Sequence, residues 1–259
     1  METSSSTTVD ARELEAKVKD MYRHVAEEPA GSYHFEMGRP LAERLGYPAD
    51  VLDRIPAGAI ESFAGVGYFF DLAGLGEGES VIDLGSGSGM DALFAAARVG
   101  PTGTVVGIDF TPEQLDKARR IAEDAGYSQA EFREGRIERL PAEDESFDCA
   151  ISNGVINLAP DKAAVFAEAS RVLRPGGRLA IADIVSEQQL KESIVCDADL
   201  WASCIGGAAQ QDAYREAIQG AGLSIERIRE NPYHFISERA RNASEKYGVK
   251  SVSLLAVKG

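Results

Sequence analysis

From Ser80 onward the chain alternates short apolar runs with amphipathic helical stretches, a pattern that few architectures can absorb. SVIDLG, TVVGID, AEFREG, FDCAISN and RLAIADIV read as strands bounded by turn residues. MDALFAAARVG, TPEQLDKARRIAEDAG and DKAAVFAEASRVLRPGG read as helices, the last ending in Pro-Gly-Gly. In the second of these, Thr111 is placed as N-cap, Pro112 in the first turn, Gln114 three residues after the cap and Gly126 as the stop. A helix at Asp212 to Ala221 and strands at Leu223 to Arg229 and Ser251 to Val257 complete the series. The alternation predicts an α/β fold whose mainly parallel sheet has right-handed crossovers and helices on both faces.

The first 78 residues have a different texture. Residues 1–9 are rich in Ser and Thr and predict a flexible tail. From Asp10, Leu14, Val18, Met21, Tyr22 and Val25 recur at helical spacing, with Asp10 and Glu13 as a capping box. Pro29 to Gly78, rich in Gly, Pro and aromatic residues, predicts short helices and loops rather than sheet. Residues 10–78 are therefore expected to form a helical cap on a domain spanning 79–259.

Charge removes several classes of partner. With 42 acidic against 27 basic residues the net charge is −15, a field that repels phosphate backbones, so nucleic acid is not expected as a partner and a cationic ligand is favoured. The longest stretch without a charge is 12 residues, against the roughly 20 that a membrane-spanning helix needs. METSSSTTVD lacks a basic region followed by an apolar one, so no signal peptide is expected and the cytoplasm is the expected location. The three cysteines, Cys149, Cys196 and Cys204, form no Cys-x-x-Cys pair and read as thiols rather than a disulfide framework.

The strongest chemical signal is Asp83-Leu84-Gly85-Ser86-Gly87-Ser88-Gly89, where the first predicted strand ends. Glycines there let the backbone turn sharply and approach a ligand. Asp109, at the end of the second strand, is placed where a carboxylate accepts both hydroxyls of a ribose. A dinucleotide fingerprint needs a third glycine where this chain has Met90. Asp83, two residues before the first glycine, suits a cationic ligand better than a pyrophosphate.

The DLGSGSG run resembles motif I of class I S-adenosylmethionine (SAM) methyltransferases. GIDFTPEQLDKAR, EGRIERLP, ISNGVINLAPDKAAVFAEASRVLRPGGRLAIADIV and LWASCIGGA narrow the resemblance to the arsenite methyltransferase branch, over about Ser80 to Ala208. The resemblance implies a Rossmann-like sheet of seven strands, the last one inserted antiparallel, and SAM as cofactor with S-adenosylhomocysteine as product. It implies cofactor contacts from Gly85, Ser86 and Gly87, a ribose partner in Asp109, Phe110 beside the adenine, Ile137 and Glu138 at the adenine edge and Asn153 near the methionine end. Tyr22 is matched to a tyrosine that covers the cofactor, and Asp83 and Gln114 are counted on the cofactor side.

The chain departs from that branch where arsenic would bind. Arsenite methyltransferases hold trivalent arsenic through thiolates, soft ligands for a soft centre. One thiol follows Ser-Asn in that branch, where this chain has Gly154; a second aligns with Val66 in AGVGYFF; only Cys204 is retained. Cys196, eight residues earlier, is about 80° away around a helix and would share the cavity. The roomier, more apolar pocket favours a small organic methyl acceptor, contacted by Asn153, Gly154, Trp201 and Cys204, with an insertion at about 186–211 as substrate wall. An oxygen or nitrogen acceptor needs a base; His34 and Glu36 are the candidates, ahead of His24 and His234. The alternatives are arsenite methylation through Cys204 with Cys196 or Cys149, a non-catalytic SAM-binding protein, and a nicotinamide-dependent reductase.

Overall fold

The computed structural model describes residues 11–31, 33, 35–197, 200, 201 and 205–259. The expected tail at 1–9, the cap residue Asp10, and His34, Ala198 and Cys204 lie outside the described residues. One twisted sheet organises the chain, in the order β3-β2-β1-β4-β5-β8-β7. Its strands are β1 (Ser80–Leu84), β2 (Thr104–Asp109), β3 (Ala130–Glu134), β4 (Phe147–Asn153), β5 (Leu173–Ser186), β6 (Ala209–Gln210), β7 (Leu223–Glu230) and β8 (Lys250–Lys258). β1 to β5 pair in parallel, whereas β8 runs antiparallel to both β5 and β7. The sheet has eight strands rather than seven. The extra one is the two-residue β6, which pairs with Val185 and Ser186 where the segment after β5 folds back beside that strand's end.

β5 also begins earlier than the sequence suggests. α8 (Lys162–Val172) stops before Pro-Gly-Gly, and Leu173 already pairs with Phe147. The register then jumps to Cys149 opposite Arg178, so Pro175, Gly176 and Gly177 loop out as a bulge inside the strand. That accommodates a proline, which cannot donate to the ladder.

The described residues before β1 form α1 (Ala11–Glu27), α2 (Gly38–Leu45), α3 (Ala49–Leu52), α4 (Ala57–Glu61) and α5 (Phe70–Ala73). Their buried faces join one core with the sheet: Leu14, Val18, Leu41, Phe63 and Phe69 cluster with Val81, Ile151 and Ala180. Phe94, on α6 (Met90–Val99), anchors an aromatic knot with Phe70 and Tyr47, at ring centroid distances of 4.3 and 5.5 Å. α8 and α10 (Gln211–Gly220) cover the opposite face through Phe166, Tyr214 and Ile218. Two further helices among the described residues are α9 (Glu192–Val195) and α11 (Glu238–Tyr247). No described helix is long and apolar enough to cross a membrane.

This order puts a topological switch between β1 and β4. The chain moves outward from β1 through β2 to β3, then returns to the other side of β1. Loops leaving the ends of β1 and β4 diverge there, and a crevice opens outside the strand ends.

Candidate active site

The glycine loop leaves β1 into that crevice. Gly85 N–H and Ser86 N–H both donate to the Ile108 carbonyl, at 2.8 and 2.9 Å, closing the turn toward β2. Gly85 has φ +78°, a left-handed conformation, and a Cβ there would stand 2.5 Å from Val155, so both backbone and space demand glycine. Gly87 N–H donates to Asp109 Oδ2 at 2.9 Å, and Thr111 N–H donates to Oδ1 at 2.8 Å. Asp109 thus fixes the loop as well as facing the cavity.

α7 (Pro112–Asp124) starts after Thr111 as the sequence predicts, but Thr111 makes no side-chain cap. Gln114 does not close a capping box either. It accepts from Ser88 Oγ in the glycine loop, while its Nε2 donates to the Tyr22 carbonyl at 2.7 Å. The residue ties α1 to the loop across the crevice, a longer-range use than local capping.

One cavity collects every residue expected on the cofactor side: Tyr22, Asp83, Gly85, Ser86, Gly87, Asp109, Phe110, Gln114, Ile137, Glu138 and Asn153 all line it. They come from α1, β1 and the glycine loop after it, the ends of β2 and β4, the start of α7 and the loop after β3. Tyr22 stacks on Phe35 at 6.3 Å between ring centroids, and Arg136 Nη2 donates to Glu15 Oε2 at 2.5 Å, so α1 is fastened across the mouth. Leu14, Val18, Phe63, Val155 and Leu158 give the rest of the wall an apolar character.

Three buried carboxyl groups, Asp83, Asp91 and Asp109, line the inner wall. Burial pushes the Asp83 carboxyl well above the usual range, with the neighbouring Asp91 and Asp109 charges adding to the effect. Burial pushes Asp91 up to about 6, against hydrogen bonds from Tyr47 and Asn153 that favour its charged form. Asp109 is raised by burial too, opposed by the Thr111 and Gly87 N–H groups. Asp83 Oδ2 and Ser86 Oγ are buried on the cavity wall and make no hydrogen bond within the protein. Orphaned buried acceptors carry a desolvation penalty that a hydrogen-bonding cationic ligand relieves. The donor set therefore fits SAM, which brings an ammonium and a sulfonium together with ribose hydroxyls.

Asn153 also has a structural role that its motif does not announce. Its Oδ1 accepts from Val66 N–H at 2.7 Å and Gly67 N–H at 3.3 Å. Its Nδ2 faces Tyr47 Oη at 3.0 Å, Asp91 Oδ2 at 2.9 Å and the Gly67 carbonyl at 3.0 Å. An amide has two donor hydrogens and two lone pairs. The protein uses all of them, so Asn153 lines the cavity as a brace for the Gly65–Gly67 loop.

The acceptor-side residues are scattered. Gly154 lies behind the cavity wall, and a Cβ on it would stand 3.1 Å from Val66 Cγ1. Trp201 is buried in the core, its indole N–H bonded to the Val195 carbonyl at 2.5 Å and its ring under Lys162 Nζ at 4.8 Å. It does not line the cavity and belongs instead to the core cluster with Leu190 and Ile205. Glu36 is ion-paired with Arg44 away from the cavity, which removes it as a base. His24 is half exposed with Nδ1 on the Asp20 carbonyl at 2.7 Å, and His234 is exposed. The helical angle between Cys196 and Cys204 also lapses, because α9 ends at Val195 with Cys196 as its C-cap. Cys149 is fully buried on β4 opposite Val81 and Arg178, at the far end of the strands from the crevice, and burial pushes its thiol up to about 12.

Two site residues escaped the sequence reading. Asp91 had a signal, a lone carboxylate in the apolar run MDALFAAARV. Tyr47 had none that set it apart from the other aromatics around it.

A family model described as a methyltransferase domain matches residues 75–222. An arsenite methyltransferase of Halobacterium salinarum is 41% identical over 199 residues, covering 76% of this chain and 51% of that protein. The chain spans about half the length of the curated relatives it matches. A crystal structure of an arsenic(III) S-adenosylmethionine methyltransferase from Chlamydomonas reinhardtii superposes with a TM-score of 0.64 at 33% identity, covering 86% of this chain and 74% of that one. Geranyl diphosphate C-methyltransferase from Streptomyces coelicolor A3(2) shares the fold, with a TM-score of 0.69 at 17% identity over 95% of this chain and 98% of its own. With the glycine loop, Asp109 at the end of β2 and the switch-point crevice in place, the chain belongs to the methyltransferase-domain family, within the class I SAM-dependent methyltransferases of the arsenite methyltransferase branch.

Proposed function

We propose that this protein transfers the methyl group of SAM to a small organic acceptor rather than to arsenite. One observation carries the reading. The two positions at which the arsenite branch presents thiols, 66 and 154, are brought side by side and hold Val66 and Gly154. A cysteine at each would offer one arsenic atom two sulfurs; a valine and a glycine offer it none. Cys149 does not replace them, being buried at the far end of the strands. The apolar wall of Leu14, Val18, Phe63 and Leu158 favours a carbon-rich acceptor. Catalysis rests on holding acceptor and methyl in line within a closed site.

Arsenite methylation is the second reading, favoured by the 41% identity to the Halobacterium enzyme and by the retained Cys204. Purified protein with methyl-labelled SAM separates the two. Label on organic products alone, undiminished in C204S, supports our reading. Label moving onto arsenite in the presence of thiol, and lost in C204S, refutes it.

A further inference from the structure

We propose that Lys162 is a positioning residue for the acceptor wall, its ammonium clamping the 158–160 segment of the cavity to the indole of Trp201. The inference rests on the reading of the apolar wall as the acceptor side. Leu158, Ala159 and Pro160 line the cavity, and the chain then enters α8 at Lys162. From there Lys162 Nζ turns back and donates to the Ala159 carbonyl at 3.0 Å, while standing 4.8 Å from the centre of the Trp201 ring. One side chain therefore touches both the cavity wall and the segment that follows β5.

That segment is shaped to present the ring. A Cβ on Gly206 would stand 2.3 Å from Trp201 Cδ1. One on Gly207 would stand 2.8 Å from Trp201 Cε3 and 1.9 Å from the Asn157 carbonyl. The two glycines let the backbone lie against the indole and against the turn that follows β4. The indole N–H is spent on the Val195 carbonyl, which leaves the π face for Lys162. At the start of the same turn, Asn157 Nδ2 donates to Asp183 Oδ1 at 2.6 Å, and Tyr214 Oη donates to Asp183 Oδ2 at 2.6 Å. Asp183 thus fixes one end of the wall to β5 and α10, and Lys162 fixes the other.

An aliphatic side chain would pack on the indole as well; what lysine adds is charge. The ring quadrupole attracts an ammonium held over its face, and the same ammonium bonds the Ala159 carbonyl. Burial pushes the Lys162 ammonium down to about 8, against the opposing pull of Asp183 on β5, Glu138 after β3 and Asp161 at the N-cap. The charged form, and with it the attraction to the ring, is complete below that value and lost as pH rises through it. The wall is therefore expected to loosen in mildly alkaline solution.

Trp201 is the only tryptophan of the 259-residue chain, so acrylamide quenching of its emission reports on this ring. In wild type, quenching should rise as pH passes through about 8. K162M should be quenched at every pH like alkaline wild type, and K162R, always charged, should stay protected up to about pH 10. Transfer from methyl-labelled SAM is then measured while diluting whichever acceptor takes the label, metabolite extract or arsenite. K162M should need about three- to tenfold more acceptor for half-maximal transfer, and K162R close to the wild-type amount. K162Q serves if circular dichroism shows K162M unfolded. A pH step that persists in K162M, and so belongs to a thiol such as Cys196, overturns the proposal. So does a Trp201 equally protected in K162M and wild type, or an unchanged acceptor requirement. Label on arsenite alone refutes the organic acceptor while the dilution still decides the clamp; wild type labelling neither refutes the transferase reading, and quenching decides the clamp.

Discussion

Restoring thiols at positions 66 and 154 tests the spatial argument behind the proposed acceptor. The backbone of Val66 is pinned on both sides, its N–H by Asn153 Oδ1 at 2.7 Å and its carbonyl by Ser251 Oγ at 2.6 Å. The spacing to Gly154 is therefore fixed by the frame. G154C alone places a side chain at φ +72°, which costs about 1–2 kcal/mol. Its Cβ also meets Val66 Cγ1 at 3.1 Å, adding to that cost. V66C replaces both γ-methyls with one sulfur, so the double variant should be no less stable than G154C, although V66C alone loses about 1 kcal/mol of packing. Arsenite at a hundredfold excess over its dissociation constant should then stabilise V66C/G154C by about 2.7 kcal/mol. The assay is urea denaturation with and without arsenite, under a phosphine reductant and in a C204S background. Arsenite that stabilises the C204S parent equally, or leaves the double variant unmoved while both new thiols react after denaturation, would falsify the juxtaposition.

Three further outcomes are expected. D109A should weaken SAM binding by about 1.5–3 kcal/mol in calorimetry through lost hydrogen bonds to a charged acceptor, and Gly87 and Thr111 lose their N–H acceptor as well; unchanged affinity sinks the ribose assignment. Asp91, raised from 3.8 to about 6 by burial and faced by Asp83, Tyr47 and Asn153, stabilises the cofactor-free fold when protonated. That contribution is complete below its unfolded value and lost as pH rises through the folded one, about 3 kcal/mol in all; Asp83 and Asp109 act with the same sign. Denaturation from pH 4 to 7 should thus show a steeper loss in wild type than in D91N, and parallel curves refute it. Cys149, with its thiol pushed up to about 12, should resist alkylation in the native protein, and C149A should bind SAM with unchanged affinity; native labelling contradicts its placement.

Much of the frame was legible because its signals are local. The alternation after Ser80 gave each of β1 to β5, and the glycine loop with Asp109 marked the switch point between β1 and β4. Nine of the eleven residues expected on the cofactor side come together for the same reason: they sit at or just beyond strand ends, which the fold class places at one edge, whereas Tyr22 and Gln114 reach the cavity from α1 and α7. What escaped depends on pairings distant in sequence. Gln114 reads as a local cap, yet its partners are Ser88 and the Tyr22 carbonyl. Trp201 reads either as core, from its helical spacing with Leu190, Ile194 and Ile205, or as a wall residue, because its segment follows β5, and it is buried in the core. Glu36 reads as a base only until Arg44 neutralises it.

The same long-range bonds explain how acceptor choice can change while cofactor binding does not. The hydrogen bonds that hold the Val66–Tyr68 loop all run to its backbone: Asn153 takes Val66 N–H and both polar groups of Gly67, Ser251 takes the Val66 carbonyl, and Ser253 and Arg229 take the Tyr68 carbonyl. None of these bonds reads the side chain at position 66. Replacing a thiol there by valine leaves the loop in place, and Gly154, already at positive φ, relaxes the backbone it shares with Asn153. Asn153 has no such freedom, because it also carries Asp91 and Tyr47. Substitutions at Val66 and Gly154 should therefore redirect the acceptor at constant SAM affinity, whereas N153A should lower SAM affinity and stability together; a variant of either kind that moves the other quantity alone breaks this division.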